Sequence, residues 1–145
     1  MTTWGGLNNL GVIFSFDPTT DTFSKLHDFD GTDGANPRGG LTVYDGKLYG
    51  TTNNGGRDDN GIIFAYNNGV FTNLRSFFIS AQGSDALGGS LTLYGDKLYG
   101  TTPMGGIADS GFIFEYDPLS NTFDFADVFG GANGSAPYGS LTVFN

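Results

Sequence analysis

Apolar positions fall in short runs along the chain, parted by polar and glycine-rich stretches. Leu-Thr-Val-Tyr at 41–44 is followed by Asp45-Gly46 and then by Lys-Leu-Tyr-Gly-Thr-Thr at 47–52. Asp-Gly supplies the positive φ values of a type I′ turn, so the two runs predict a hairpin. Gly95-Asp96 takes the same place in the stretch from Gly89 to Thr102. A third run, Gly-Ile-Ile-Phe-Ala-Tyr at 61–66, is apolar almost throughout, as in a strand covered on both faces. The fourth strand candidate is short, as in Thr22–Phe29. Asp17-Pro-Thr-Thr-Asp21 and Asp117-Pro-Leu-Ser-Asn121 join third run to fourth, with Asn67-Asn-Gly69 as a tighter version. Asp capping, the fixed φ of proline and small polar residues build such turns. No window sustains i, i+3, i+4 apolar spacing, so no helix is predicted.

The pattern repeats with a period close to 50 residues. Gly11, Gly61 and Gly111 align, as do Phe14, Phe64 and Phe114, then Phe16, Tyr66 and Tyr116. Phe23, Phe71 and Phe123 follow, with the middle turn two residues shorter, and Phe29, Phe77 and Phe129 close the segment. The units run approximately over 1–38, 39–88 and 89–138, with a final strand at 139–145. Thr2-Thr3 with Gly5-Gly6 is the tail of the hairpin motif, and Gly139–Phe144 is its head. The expected fold is therefore all-β, with four-stranded antiparallel, blade-like repeats forming a partial β-propeller. A β-trefoil, which also uses three four-stranded units, is the alternative. In a meander the two tight turns share one end. The long connections at 53–60, 103–110, 30–38, 79–88 and 130–138 share the other, and that loop-rich end is where function is expected.

Glycine, at 25 of 145 residues, is more than double its usual share of about 7%. With 14 Phe and 7 Tyr, this composition fits strands and turns. A net charge of −9 argues against nucleic acid and anionic membranes as partners. The chain has no cysteine, hence no disulfide framework and no thiol nucleophile. It shows no signal peptide and no membrane-inserting run.

The Leu-Tyr-Gly-Thr-Thr-x-x-Gly-Gly segment, the Gly-hydrophobic-Ile-Phe-x-Tyr-Asp-Pro segment and the Leu-x-x-Phe-x-Gly-x-x-Gly-x-x-Pro segment together resemble the GloVer repeat of bacterial choice-of-anchor proteins. Tyr116-Asp-Pro-Leu-Ser-Asn-Thr-Phe123 is also similar to part of a kelch blade, although Phe stands where Trp is usual. The resemblance implies a propeller exported to the cell surface and implies no defined activity. Propellers close with about four to eight blades. The units here imply a piece of a longer array, or head-to-tail self-association through the open terminal strands.

Residues recurring in every copy are expected to be structural. The glycine doublets lack a Gly-Lys-Ser/Thr continuation and are not phosphate loops. Residues that differ between copies supply the ligand candidates at the long-loop end: Trp4, Asp30, Asp33, Asn36, Arg38, Arg57, Asp58, Asp59, Asp85, Asp109 and Tyr138. Trp4 is expected to be buried over the open end, with an exposed, sugar-stacking Trp as the alternative. Asp28, Asp30 and Asp33 form a weak calcium candidate, without the EF-hand spacing and without a bidentate Glu. No cofactor is otherwise implied. His27 is the one histidine, and Asp28 beside it points to the opposite face of a strand. No catalytic set stands out. The expected function is a non-catalytic binding or adhesion module for carbohydrate or protein. The alternatives are a carbohydrate-active enzyme using loop carboxylates and a structural spacer.

Overall fold

The computed structural model describes residues 1–78, 89–106 and 109–144. The first unit holds β1 (Val12–Asp17) and β2 (Thr22–Asp28). The second holds β3 (Thr42–Tyr44), β4 (Lys47–Thr51), β5 (Ile62–Asn67) and β6 (Val70–Ser76). The third holds β7 (Thr92–Tyr94), β8 (Lys97–Thr102), β9 (Phe112–Asp117) and β10 (Thr122–Val128). Among the described residues there is no α-helix. Each unit makes its own antiparallel meander, in the orders β1-β2, β3-β4-β5-β6 and β7-β8-β9-β10. The sheets are thus blade-like and separate, whereas a trefoil would share strands of all units in one barrel.

The predicted turns form by the chemistry read from the sequence. Asp45 and Gly46 both have positive φ, as do Asn68 and Gly69, which is the type I′ requirement. In Gly95-Asp96 only the glycine is left-handed, as a type II′ turn needs. Asp17 and Asp117 accept from the backbone amides of Thr19 and Leu119, each at 2.8 Å. The hydrogen bonds to these two carboxylates also hold their pKa values below the usual range.

Two expectations at the outer units are corrected. Leu141–Phe144 forms no strand, since a ladder needs a hydrogen-bonding neighbour on its own sheet and none of the described residues supplies one. The third strand is covered on both faces in β5 but only at its start in β1, because no described sheet packs against the outer face of the first unit.

The core lies between successive sheets as two clusters. Ile13 and Phe29 of the first unit meet Ile62, Phe64 and Tyr66 of the second. Tyr49, Ile63 and Phe77 of the second meet Leu98, Phe112, Phe114 and Tyr116 of the third. A β-bulge in the last strand of each unit creates this arrangement. Register shifts leave Leu26, Leu74 and Ala126 unpaired between their neighbours. Side chains alternate across a strand, so an extra residue exchanges the faces beyond it. Phe71 accordingly faces the first unit, and Phe77, six positions on, faces the third.

The inner edges are joined by hydroxyl bonds that repeat with the units. Thr42 Oγ1 donates to Leu91 O (2.5 Å) and Thr92 Oγ1 to Leu141 O (2.6 Å). The Gly40 amide donates to Ser90 Oγ (2.6 Å) and the Ser90 amide to Ser140 Oγ (2.9 Å). Glycine is required at 39 and 89, because a Cβ there would lie 2.6 Å from Gly89 O and 2.8 Å from Ser140 N.

Candidate functional site

The recurrent motif is used up by structure. Leu48 packs toward the first unit and Tyr49 toward the third. Gly50 lies under the Phe64 ring, where a Cβ would come within 2.6 Å of Cζ. Thr51 Oγ1 reaches Gly89 O at 3.5 Å, and Thr52 Oγ1 donates to Asn54 O at 2.8 Å. The glycine-doublet loops are closed from within. Asn9, Asp59 and Asp109 all have positive φ. Their side chains accept from the amides of Gly5 (3.0 Å), Gly55 (2.7 Å) and Gly105 (2.5 Å). Asp59 and Asp109 therefore occupy the position of Asn9 and hold a turn.

The acidic cluster after β2 is likewise internally bonded. Asp30 Oδ1 accepts from the amides of Thr32 (2.8 Å) and Asp33 (3.0 Å) and from the Thr32 hydroxyl (2.7 Å). These bonds, led by the hydroxyl, hold its carboxyl below the usual range. Asp33 Oδ1 accepts from the Asp30 amide (2.8 Å), and its Oδ2 lies 2.6 Å from His27 Nε2; burial pushes the Asp33 carboxyl up. Asp28 turns elsewhere. It pairs with Lys25 at 2.6 Å and accepts from the Leu7 amide at 2.9 Å, and the Lys25 bond above all lowers its pKa. The three acids of the calcium candidate do not converge: Asp28 bonds Lys25 and the Leu7 amide, whereas Asp30 and Asp33 close the following loop on each other, Thr32 and His27. No group of three or more His, Cys, Asp or Glu side chains among the described residues could hold a metal ion. Asn36 is buried, with its amide Nδ2 on Thr3 O at 3.1 Å.

The remaining candidates are exposed. Trp4 is 63% accessible and Tyr138 62%, which overturns the expected burial of Trp4. Arg38 is exposed, and the Arg57 side chain extends into solvent, with Asp58 at 3.7 Å. Thr3 Oγ1 donates to Pro37 O at 3.0 Å, so Trp4 and Arg38 leave neighbouring backbone. Asp85 lies outside the described residues.

Two features were missed by the sequence reading. One is the residue two places before each closing Phe. The His27 ring stacks on Phe71 of the next unit at 4.2 Å, and the Arg75 guanidinium sits 4.0 Å over Phe123. Asp127 holds the same place in the third unit. The 50-residue alignment carries this signal, but the three residue types share no chemistry that marks them as equivalent.

The other feature is a set of clefts at the tight-turn end, opposite the predicted face. The cleft between the second and third units measures about 390 Å³ and is lined by Lys47, Tyr49, Ala65, Asn67, Asn68 and Tyr116 among others. Burial pushes the Tyr116 hydroxyl up to about 12, and this hydroxyl bonds to Asn121 Oδ1 at 2.7 Å.

A comparison with curated proteins returns no match. The model of one protein family, the Gloeobacter/Verrucomicrobia repeat, matches residues 1–145. Sequence period, blade-like sheets and family match agree, and the chain belongs to the Gloeobacter/Verrucomicrobia repeat family.

Proposed function

We propose that the chain is a non-catalytic binding module of the cell surface and that its ligand is carbohydrate, held at the long-loop end by Trp4 and Arg38. The observation that carries this is the pairing of an exposed indole with an exposed guanidinium on adjoining backbone. An indole face stacks on the apolar face of a sugar, and the guanidinium fork matches hydroxyl and carboxylate oxygens. An enzyme reading has less support, because the loop carboxylates of Asp30, Asp59 and Asp109 already accept backbone amides. Self-association is part of the proposal. Phe23 is 60% exposed although its equivalents, Phe71 and Phe123, lie under aromatic rings of the preceding unit. In the third unit Phe129, the equivalent of the fully buried Phe29 and Phe77, is only part-buried.

A glycan array compared between the natural chain and Trp4→Ala tests the ligand. Capture of a defined glycan set, weakened at least about tenfold in the variant, is expected, as for loss of an aromatic contact. Equal capture by the variant overturns the Trp4 site. An empty array beside a saturable protein partner replaces carbohydrate with protein, and no saturable ligand of either class leaves a spacer.

A further inference from the structure

We infer that the cleft between the second and third units is a carboxylate site, and that its ligand is a uronic-acid sugar. The inference shares a ligand class with the preceding reading, and its site lies at the opposite end of the sheets. It rests on a comparison of two equivalent places within one chain. In the third unit, Lys97 Nζ lies 2.6 Å from Glu115 Oε1, and the Tyr99 hydroxyl donates to Glu115 Oε2 at 3.2 Å. The same register in the second unit brings together Lys47, Tyr49 and Ala65, since Tyr49 pairs with Ala65 as Tyr99 pairs with Glu115. The cation and the phenol are kept, and the carboxylate is replaced by a methyl group.

The shortened side chain opens the space. Lys47, Tyr49 and Ala65 all line the cleft of about 390 Å³, and among the described residues no carboxylate pairs with Lys47. Asp45, in the adjoining turn, is exposed and acts on Tyr49 only at a distance, raising its pKa after burial has done so first. A ligand carboxylate placed where Glu115 lies in the third unit would meet the Lys47 ammonium and the Tyr49 hydroxyl. Charge-assisted bonds of this kind are the stronger class.

The rest of the cleft selects the body of the ligand. Its volume is in the range of small-molecule pockets and exceeds what a carboxylate alone fills. Leu74 and Val70 are apolar parts of its lining, and Asn67, Asn68 and Thr72 are polar ones. A compact ring with an apolar face, several hydroxyls and one carboxylate matches these surfaces. That is the chemistry of a hexuronate.

Titration of the natural chain with galacturonate, glucuronate, glucose and acetate, followed by NMR at the Tyr49 and Asn67 resonances, tests the inference. Saturable binding of a uronate is expected, with glucose and acetate at least about tenfold weaker. Lys47→Gln should abolish the response, and Ala65→Glu should do the same by supplying the missing carboxylate internally. Lys97→Gln should bind as the natural chain does. Should Ala65→Glu fail to fold, Lys47→Gln decides alone. Glucose binding as tightly as uronate, acetate binding as tightly as uronate, an unchanged response in Lys47→Gln, or no response to any of the four overturns the inference. Because the signals come from the cleft itself, the glycan-array result at Trp4 can fail without affecting this test, and the converse holds.

Discussion

Several acidic side chains that look available for ligands in the sequence are committed to their own loops. Asp59 and Asp109 hold the amides of Gly55 and Gly105 from a left-handed backbone, in the place of Asn9. This equivalence gives a test. Asp109→Asn should leave stability nearly unchanged, since Asn9 performs the same task, while Asp109→Ala should cost about 1 kcal/mol, the net worth of one such hydrogen bond. Thermal melts of the two variants distinguish a turn-holding role from a ligand role, in which the Ala change would leave the melt where it was. The pair of His27 and Asp33 was hidden for a related reason. Strand alternation separates His27 from Asp28 correctly, but only closure of the following loop returns Asp33 to within 2.6 Å of the ring. Loop closure is a tertiary event that residue spacing does not encode.

Most strands, the hairpins and their order were legible, because the Asp-Gly, Asn-Gly and Asp-Pro turns mark them and the third and fourth strands keep their lengths in all three units. The bulge was not. It adds one residue within an otherwise ordinary run, and Leu26, Leu74 and Ala126 carry no common sign of it. Its effect is large, since it aims the closing Phe at the following unit. Phe77, buried against Phe114 and Phe123, should cost about 3–5 kcal/mol when changed to Ala. Phe23→Ala, at an exposed position, should change stability by less than about 1 kcal/mol in the separate chain. Deleting Leu74 keeps every other side chain and returns Phe77 to the wrong face. Urea denaturation should therefore show a loss at least as great as that of Phe77→Ala. A deletion that costs less would mean the bulge does not set the facing of this strand.

At the scale of the whole molecule, alkaline pH acts on the contacts between units. Tyr116 has its folded pKa raised to about 12 by burial, against an ordinary value of about 10. The folded state then holds a proton that the unfolded chain releases. Stability from this group is complete below pH 10 and is lost as pH rises toward 12. Burial raises Tyr44, Tyr49 and Tyr99 in the same direction. Melting temperature should fall steeply across that window, and Tyr116→Phe should flatten the fall; an unchanged slope would remove Tyr116 as its source. The location of the clefts was not legible at this scale, because the sequence shows which turns share an end but not where neighbouring sheets splay apart. The inner hydroxyl bonds carry one more consequence. Among the described residues, the inner threonine hydroxyls that bond between units all donate from one unit to the unit after it, Thr42 to Leu91 and Thr92 to Leu141. Thr142, next in the series, stands exposed. Growth by this contact has a plus end and a minus end, as a polar filament has: two plus ends cannot pair, and extension stops only where the path bends back to meet its own start.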